Sequence, residues 1–293
     1  MHDLVTKIIE SRLPSTEVFR GLRKHRLALI GAGIILVLIF IAILAPFIAP
    51  HDPIEQNLEH RLLPPNAEYP LGTDNLGRCI LSRLIHGTSV SLQIGVIVVG
   101  IAATTGVTLG LIAGYRGGLV DELIMRIVDV LLAFPGIILA LAIAGILGPS
   151  LYNVMLALAV VGWTSYARVV RGSVLSVKEK EFVEAARALG AGEARIMFRH
   201  ILPNVTAPVI VMATLGMAHV ILAAAALSFL GLGAQPPTPE WGSMLNDGRA
   251  FMRTAPHLTI FPGLAIMVTV LAFNFLGDGL RDVLDPRLKG AAR

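Results

Sequence analysis

The chain has 293 residues, of which 55% are hydrophobic and only 15% are charged, and its mean hydropathy is +0.74. Soluble domains carry about 25% charged residues, so this composition excludes an ordinary soluble enzyme and indicates an integral membrane protein. The net charge of +4 does not indicate a nucleic-acid-binding protein, because basic residues gathered on one side of a bilayer raise the total in the same way.

Six apolar stretches are long enough to cross a bilayer as helices, which requires about 20 residues each. They are too long for the strands of a membrane barrel, and polar and apolar residues do not alternate in them. The predicted fold class is therefore an all-α integral membrane protein with six transmembrane helices. The predicted spans are 27–49, 90–114, 127–147, 154–170, 207–233 and 258–276.

The distribution of Lys and Arg predicts the orientation of these spans. If the N-terminus is cytoplasmic, 19 of the 24 basic residues lie on the cytoplasmic side. Both termini and the long loop at 172–204 are therefore predicted to be cytoplasmic. The predicted organisation is an N-terminal segment (1–26), a first helix (27–49), an extracytoplasmic segment (50–87), a core five-helix domain (88–280) that contains the loop, and a cytoplasmic tail (281–293).

Two segments predicted to lie outside the membrane, 51–87 and 234–257, are rich in proline. Proline fixes φ and removes a hydrogen-bond donor, so these segments are expected to be ordered but not helical. Trp241 in the second segment is expected to anchor the chain at the membrane interface.

The loop before the fifth span is polar but prone to form helices. Residues 177–189 contain no Gly or Pro and are rich in good helix formers. Gly190 is expected to turn the chain with a positive φ. Residues 193–201 are then expected to form a second short helix that Pro203 ends. The pattern predicts a compact helix–glycine–helix hairpin.

Side chains within this hairpin indicate contacts. Lys180 and Glu184, and Glu184 and Arg187, have opposite charges at helical spacing and are expected to pair. Glu184 is alternatively available to an arginine of a partner. Ala185 and Ala186 are small and indicate close approach to another surface.

Small and bending residues indicate how the spans pack. Gly106, Gly110 and Gly114 share one face of the second span and predict close helix packing. Pro135 in the third span and Pro262 in the sixth predict kinks.

Two polar residues inside the spans are candidates for the transport pathway. His219 is the only ionisable residue deep in the fifth span, and ionisable groups inside a membrane are functional candidates. The alternative is a neutral imidazole bonded to a neighbouring carbonyl group. Asn274 in the sixth span is open to the same two interpretations. The spacing of the histidines does not indicate a metal site.

The hairpin sequence resembles the EAA loop of ABC importer permeases. The matching positions are Glu184, Ala185, Ala186, Gly190, Leu202 and Pro203, with His200 in place of the family's Ile. The stretches 71–92, 227–245 and 274–288 are similar to the C-type permeases of dipeptide and oligopeptide importers. Cys79 stands where that family has Asp.

This resemblance implies a type I importer permease fold in a bacterial inner membrane, with half of the translocation pathway in this chain. It implies three kinds of partner: a homologous B-type permease, two cytosolic ABC ATPases docked on the EAA loops, and an extracytoplasmic substrate-binding protein. The sequence has no Gly-x4-Gly-Lys-Ser/Thr phosphate loop, so the chain is not expected to be an enzyme or to bind a cofactor. ATP and Mg²⁺ are expected to be used by the ATPases.

Two alternatives remain open from the sequence. A same-family importer of nickel, glutathione or another small solute would share these motifs, because substrate choice lies largely in the binding protein. A secondary transporter working alone would instead need charged relay residues inside the spans and no hairpin for an ATPase.

Overall fold

A computed structural model of the chain describes residues 21–23 and 25–284. The predicted N-terminal segment 1–26 and tail 281–293 therefore lie largely outside the described residues. The described part is a bundle of helices joined by ordered loops. Its helices are α1 (Arg26–Ile48), α2 (Ile80–Arg116), α3 (Gly118–Leu132), α4 (Gly136–Leu147), α5 (Leu151–Val177), α6 (Glu181–Ala188), α7 (Glu193–Phe229), α8 (Trp241–Gly248) and α9 (His257–Leu284).

Five of these helices, α1, α2, α5, α7 and α9, are long and apolar enough to cross a membrane. Helices α3 and α4 pass the same test together, although they are bent by 89° relative to each other. Counted as one broken span, this pair completes the six expected crossings. The kink predicted at Pro135 is confirmed and is a full break in the helix, because Pro135 lacks an N–H group and disfavours helical geometry in the residue before it. The broken span begins at Gly118, earlier than the predicted residue 127. Pro262, by contrast, lies inside the uninterrupted α9.

Several helices extend beyond the predicted apolar spans. Helix α2 begins at Ile80 rather than at 90, and α5 continues to Val177. Hydropathy marks only the lipid-compatible part of a helix. A helix continues into polar sequence where the protein satisfies the polar groups, as it does for Ser82 and Arg83, which are buried in the first turns of α2.

Helices α2 and α5 form the closest pair in the bundle, through the predicted glycine face. A Cβ atom added at Gly110 would lie 2.5 Å from the Ala167 carbonyl oxygen, and one added at Gly114 would lie 2.8 Å from Val174 Cβ. Both distances are too short for any side chain, so the prediction of close packing is confirmed. This pair forms the rigid centre on which the functional segments are built.

Candidate functional site

The hairpin, residues 181–203, is packed firmly against one end of the bundle. Its inner face places Val183 and Ala186 of α6 against Ile196 and Ile201 of α7. These side chains continue into an apolar cluster formed with Leu111, Val170, Val174 and Val177 of α2 and α5. The hairpin is therefore a fixed extension of the membrane helices and not a tether.

Gly190 forms the corner of the hairpin, as predicted, with φ of +79°. The Gly190 N–H donates to the Arg187 carbonyl oxygen at 3.0 Å, and the Ala191 N–H donates to the Ala186 carbonyl oxygen at 3.1 Å. These two bonds are the Schellman arrangement that closes a helix with a left-handed residue. Glycine adopts this conformation without the steric cost that a Cβ atom brings.

The outer face of α6 is open to solvent. Glu181, Glu184, Ala185 and Ala188 are exposed at helical spacing, and Leu189 follows at the tip with 88% of its surface exposed. One exposed apolar side chain is common on protein surfaces, so the distinctive feature of Leu189 is its position at the tip of the hairpin.

The two motif alanines have different environments. Ala186 is buried among the chain's own helices, whereas Ala185 faces solvent. The expectation that both approach another surface therefore divides into an internal contact and an external one. Glu184 makes no ion pair with a described residue, so the expected pairs with Lys180 and Arg187 are wrong and its carboxylate is left for an external group.

The second arm of the hairpin is not a separate short helix. A π-helical turn at Ile196–Ile201 leads directly into the rest of α7, and the Leu202 N–H donates to the Met197 carbonyl oxygen. The wider turn takes up the missing N–H of Pro203, so the prediction that this residue ends the helix is wrong. Leu202 and Pro203 are half-buried. The hairpin arm and a membrane span are thus one continuous helix.

An open cleft of about 690 Å³ separates the hairpin from the turn between α2 and α3, residues 115–120, which we call the elbow. The Arg116 guanidinium reaches across it to the Glu193 carboxylate at 3.5 Å.

Beyond the elbow, α3 is attached to α5 by two ion pairs. Arg171 donates to Asp121 through two hydrogen bonds of 2.5 and 2.6 Å, and Arg168 donates to Asp129 at 2.6 Å. These contacts were not predicted, since they join residues 39 and 50 positions apart.

The two candidate pathway residues lie in different environments. His219 is exposed on α7 and makes no hydrogen bond with any residue that the structure describes, so the expectation of a bond to a neighbouring carbonyl group is not met. Asn274 is half-buried on α9. The structure does not join these two side chains to each other by a hydrogen bond.

The opposite end of the bundle carries a cap, defined as residues 51–79 together with α8. Arg78 of the cap and Arg83 of the adjoining first turn of α2 are both only 2% exposed. Arg78 donates to Asp74 at 2.7 Å and to Asp247 of α8 at 3.3 Å, and Arg83 Nε lies 3.5 Å from Asp74. Burial raises the pKa of Asp247, and the neighbouring arginines oppose that rise. The cluster holds two positive and two negative side chains.

Helix α8 was not predicted and corrects two expectations for 234–257. The segment is partly helical, and Trp241 is not an interfacial anchor: it is 1% exposed and its indole N–H donates to the Leu84 carbonyl oxygen at 3.2 Å. Glu240 caps the helix by accepting from Gly242 N at 2.8 Å and Ser243 N at 2.9 Å. Burial raises the pKa of Glu240.

Cys79 occupies the N-cap position of α2, is buried, and makes no capping hydrogen bond. The Asp expected from the family would be a strong N-cap residue here. The expected non-helical character of 51–87 holds as far as this position, apart from one 3-10 turn at Leu58–His60. Sequence reasoning missed the neighbouring charge cluster, although Asp74 and Arg78, four residues apart before an apolar helix, were an available signal.

Comparison with known families gives two matches along the chain. The family described as "Binding-protein-dependent transport system inner membrane component" matches residues 106–290. The family described as "N-terminal TM domain of oligopeptide transport permease C" matches residues 14–65. Together the two families cover the first span, the hairpin and the core helices from the end of α2 onwards, and most of α2 lies between the two matches.

Individual relatives agree with this assignment. The dipeptide transport system permease protein DppC of Alkalihalophilus pseudofirmus is 52% identical over 94% of this chain and 91% of its own length. The di/tripeptide transport system permease protein DppC of Pseudomonas aeruginosa is 47% identical over 95% of this chain and 94% of its own length. The glutathione transport system permease protein GsiD of Escherichia coli is 49% identical over 95% of this chain and 92% of its own length.

A solved structure described as "Crystal structure of an amino acid ABC transporter with histidines" shares the fold. It is 18% identical, covers 67% of this chain and 91% of its own, and has a TM-score of 0.50. This likeness supports the type I permease fold for about two thirds of the chain. The protein is thus a multi-pass membrane protein that belongs to the family of inner-membrane permease components of binding-protein-dependent ABC transport systems.

Proposed function

We propose that this chain is the C-type permease subunit of an ATP-driven importer for di- and oligopeptides. It forms one half of the translocation pathway and is moved by ATPases that grip its hairpin. The hairpin carries the proposal, because it is a rigid, polar, outward-facing knob that continues directly into a membrane span. A transporter working alone has no need of such a knob.

The peptide substrate is supported by the relatives named as dipeptide and di/tripeptide permeases at 47–52% identity. Glutathione is a second candidate, since relatives at 49% identity are named glutathione permeases. Uptake of a labelled dipeptide and of labelled glutathione into proteoliposomes that contain the complete importer separates the two. Uptake of glutathione alone would contradict the peptide assignment.

The proposed partners are a homologous B-type permease, two cytosolic ABC ATPases that use ATP and Mg²⁺, and an extracytoplasmic substrate-binding protein. Both termini and the hairpin are proposed to lie in the cytoplasm, and the bias of Lys and Arg toward these segments supports this orientation. The cap then faces the binding protein.

Within the hairpin, each motif residue is assigned a role. Glu184 and Ala185 face the ATPase, because they are exposed and free of internal ion pairs. Ala186, Leu202 and Pro203 transmit movement, because they pack against or continue into the membrane helices. Gly190 closes the turn between them.

His219 and Asn274 are proposed to line the pathway or the contact with the second permease. An imidazole that faces lipid from the middle of a membrane helix is costly. Since His219 is exposed in the single chain and has no hydrogen-bond partner among the described residues, another subunit or water is expected to cover it.

Replacing Glu184 with Arg tests the coupling role. The reversed charge is expected to abolish substrate-stimulated ATP hydrolysis and peptide uptake in proteoliposomes, while the protein still inserts into the membrane. Glu179→Arg is the matched control, because Glu179 is exposed in the turn before α6 and outside the motif. Normal stimulated hydrolysis by Glu184→Arg would contradict the proposal.

A further inference from the structure

The cleft between the hairpin and the α2–α3 elbow has the properties of a second binding surface. It is a groove of about 690 Å³ that is open to solvent and is not an enclosed pocket. One wall belongs to the hairpin and the other to the elbow. The side chains that matter are Arg187 and Glu193 on the hairpin, and Tyr115, Arg116, Leu119 and Val120 on the elbow.

The two apolar side chains of the cleft are exposed. Leu119, at the start of α3, has 84% of its surface open, and Val120 beside it is also exposed. Gly117 and Gly118 adopt φ of +67° and +55°, and this sharp turn holds Leu119 away from the bundle. Little of α3 packs against its neighbours, because Val128 is its one buried residue.

The rim of the cleft is charged, with an excess of positive charge. The Arg116 guanidinium forms an ion pair with the Glu193 carboxylate, and both side chains are more than half exposed. Arg187 makes no ion pair with any residue that the structure describes. The excess charge of Arg187 favours an occupant with a carboxylate group, and the exposed Leu119 and Val120 favour one with an adjacent apolar side chain.

We propose that this cleft is a second docking site for the cytosolic ATPase, filled by a segment in which an acidic side chain lies beside an apolar one. The inference rests on the proposed function, because the hairpin wall of the cleft is continuous with the surface assigned to the ATPase. Two separate contacts, on the hairpin and on the elbow, resist rotation of the ATPase about the hairpin. The elbow also lies at the start of the broken span α3–α4, so the second contact gives the ATPase a direct grip on that span.

The test uses the complete permease pair in nanodiscs, onto which the purified ATPase subunits are titrated. Leu119→Ser is expected to weaken ATPase binding about ten-fold, the factor expected when the burial of one leucine is lost. Arg187→Glu is expected to weaken it as well, because the reversed charge repels the acidic side chain. Unchanged binding in both variants would overturn the proposal.

Two matched controls restrict the effect to the cleft. Leu123→Ser changes an exposed leucine one turn further along the same face of α3, and Arg195→Glu changes an exposed arginine on the hairpin; neither residue lines the cleft. Both are expected to bind the ATPase normally. A loss as large as that of the cleft variants would show that the surface is not specific. Unchanged melting temperatures check that all four variants fold.

A photoreactive amino acid at position 119 identifies the occupant directly. An adduct with the ATPase subunit supports the proposal, whereas an adduct with phospholipid or the second permease alone overturns it. This outcome is distinguishable from a failure of the proposed function. If Glu184→Arg abolishes coupling while the cleft variants bind the ATPase normally, the proposed function is supported and the second docking site is contradicted.

Discussion

The hairpin and the cap are both polar excursions from an apolar bundle, yet they are held in place by opposite means. The hairpin buries valine, isoleucine and alanine side chains and turns its charges outward. The cap buries its charges, with Arg78 and Asp74 almost fully enclosed beside Arg83 of α2, and exposes apolar residues such as Leu58. The two regions thus use polar and apolar side chains in opposite ways.

This difference indicates how each region tolerates change. Charges on the surface of the hairpin contribute little to folding, because water screens them. They are therefore free to serve a partner. Buried charges in the cap depend on each other, because removal of one leaves another without compensation in a medium of low dielectric constant. We expect substitutions in the cap to affect stability and those on the hairpin surface to affect coupling.

The largest expected effect is that of Arg78→Ala. It removes the guanidinium that joins Asp74 to Asp247 and is expected to cost about 3–5 kcal/mol, as for other broken buried ion pairs. Melting of the detergent-solubilised protein measures the loss. Arg61→Ala is the control, because Arg61 is exposed and makes only a cation–π contact at 5.8 Å from the centre of the Phe251 ring. Equal melting temperatures for the two variants would contradict the assigned role of the cluster.

A smaller loss of stability is expected from Gly190→Val. The left-handed φ at this position costs a residue with a Cβ atom about 1–2 kcal/mol. The hairpin is expected to lose its corner while the membrane helices stay folded, so stimulated ATP hydrolysis falls but membrane insertion does not. Gly192→Val is the comparison, because Gly192 has an ordinary extended φ of −65°. If both variants coupled normally, the turn would not be essential.

The smallest effect on stability is expected from Leu189→Ser. Since this side chain is already 88% exposed, the free energy of unfolding is expected to change by no more than about 0.5 kcal/mol. Binding of the ATPase is nevertheless expected to weaken, because the tip loses its apolar contact. Melting and ATPase titration on the same sample check both parts. A fall in melting temperature without a change in binding would contradict the division between the two regions.

Sequence reasoning succeeded where the cause is local. The apolar spans, the close glycine face of α2 and the left-handed corner at Gly190 follow from hydropathy, side-chain size and backbone geometry over a few residues. It failed at Pro203, where a single π-helical turn lets α7 continue through a residue that usually ends a helix. Local rules state a preference, and a neighbouring turn was sufficient to override it.

Other features depend on contacts between distant parts of the chain. Arg78 and Asp247 are 169 positions apart, and Trp241 donates to a carbonyl group 157 positions away, so no local pattern places them together. Their burial is decided by the way α8 folds back between α2, α7 and α9. The expectation of an interfacial tryptophan was wrong for this reason.

The sequence alone predicted a multi-pass membrane permease with a polar hairpin between two spans, because hydropathy, charge bias and motif spacing are properties of the chain itself. The tertiary structure decided which side of each segment is available to partners. Ala185 and Ala186 are chemically identical neighbours, yet packing against α2 and α5 buries one and leaves the other in solvent. Packing of the helices likewise leaves Leu119 exposed at the elbow, beside the hairpin.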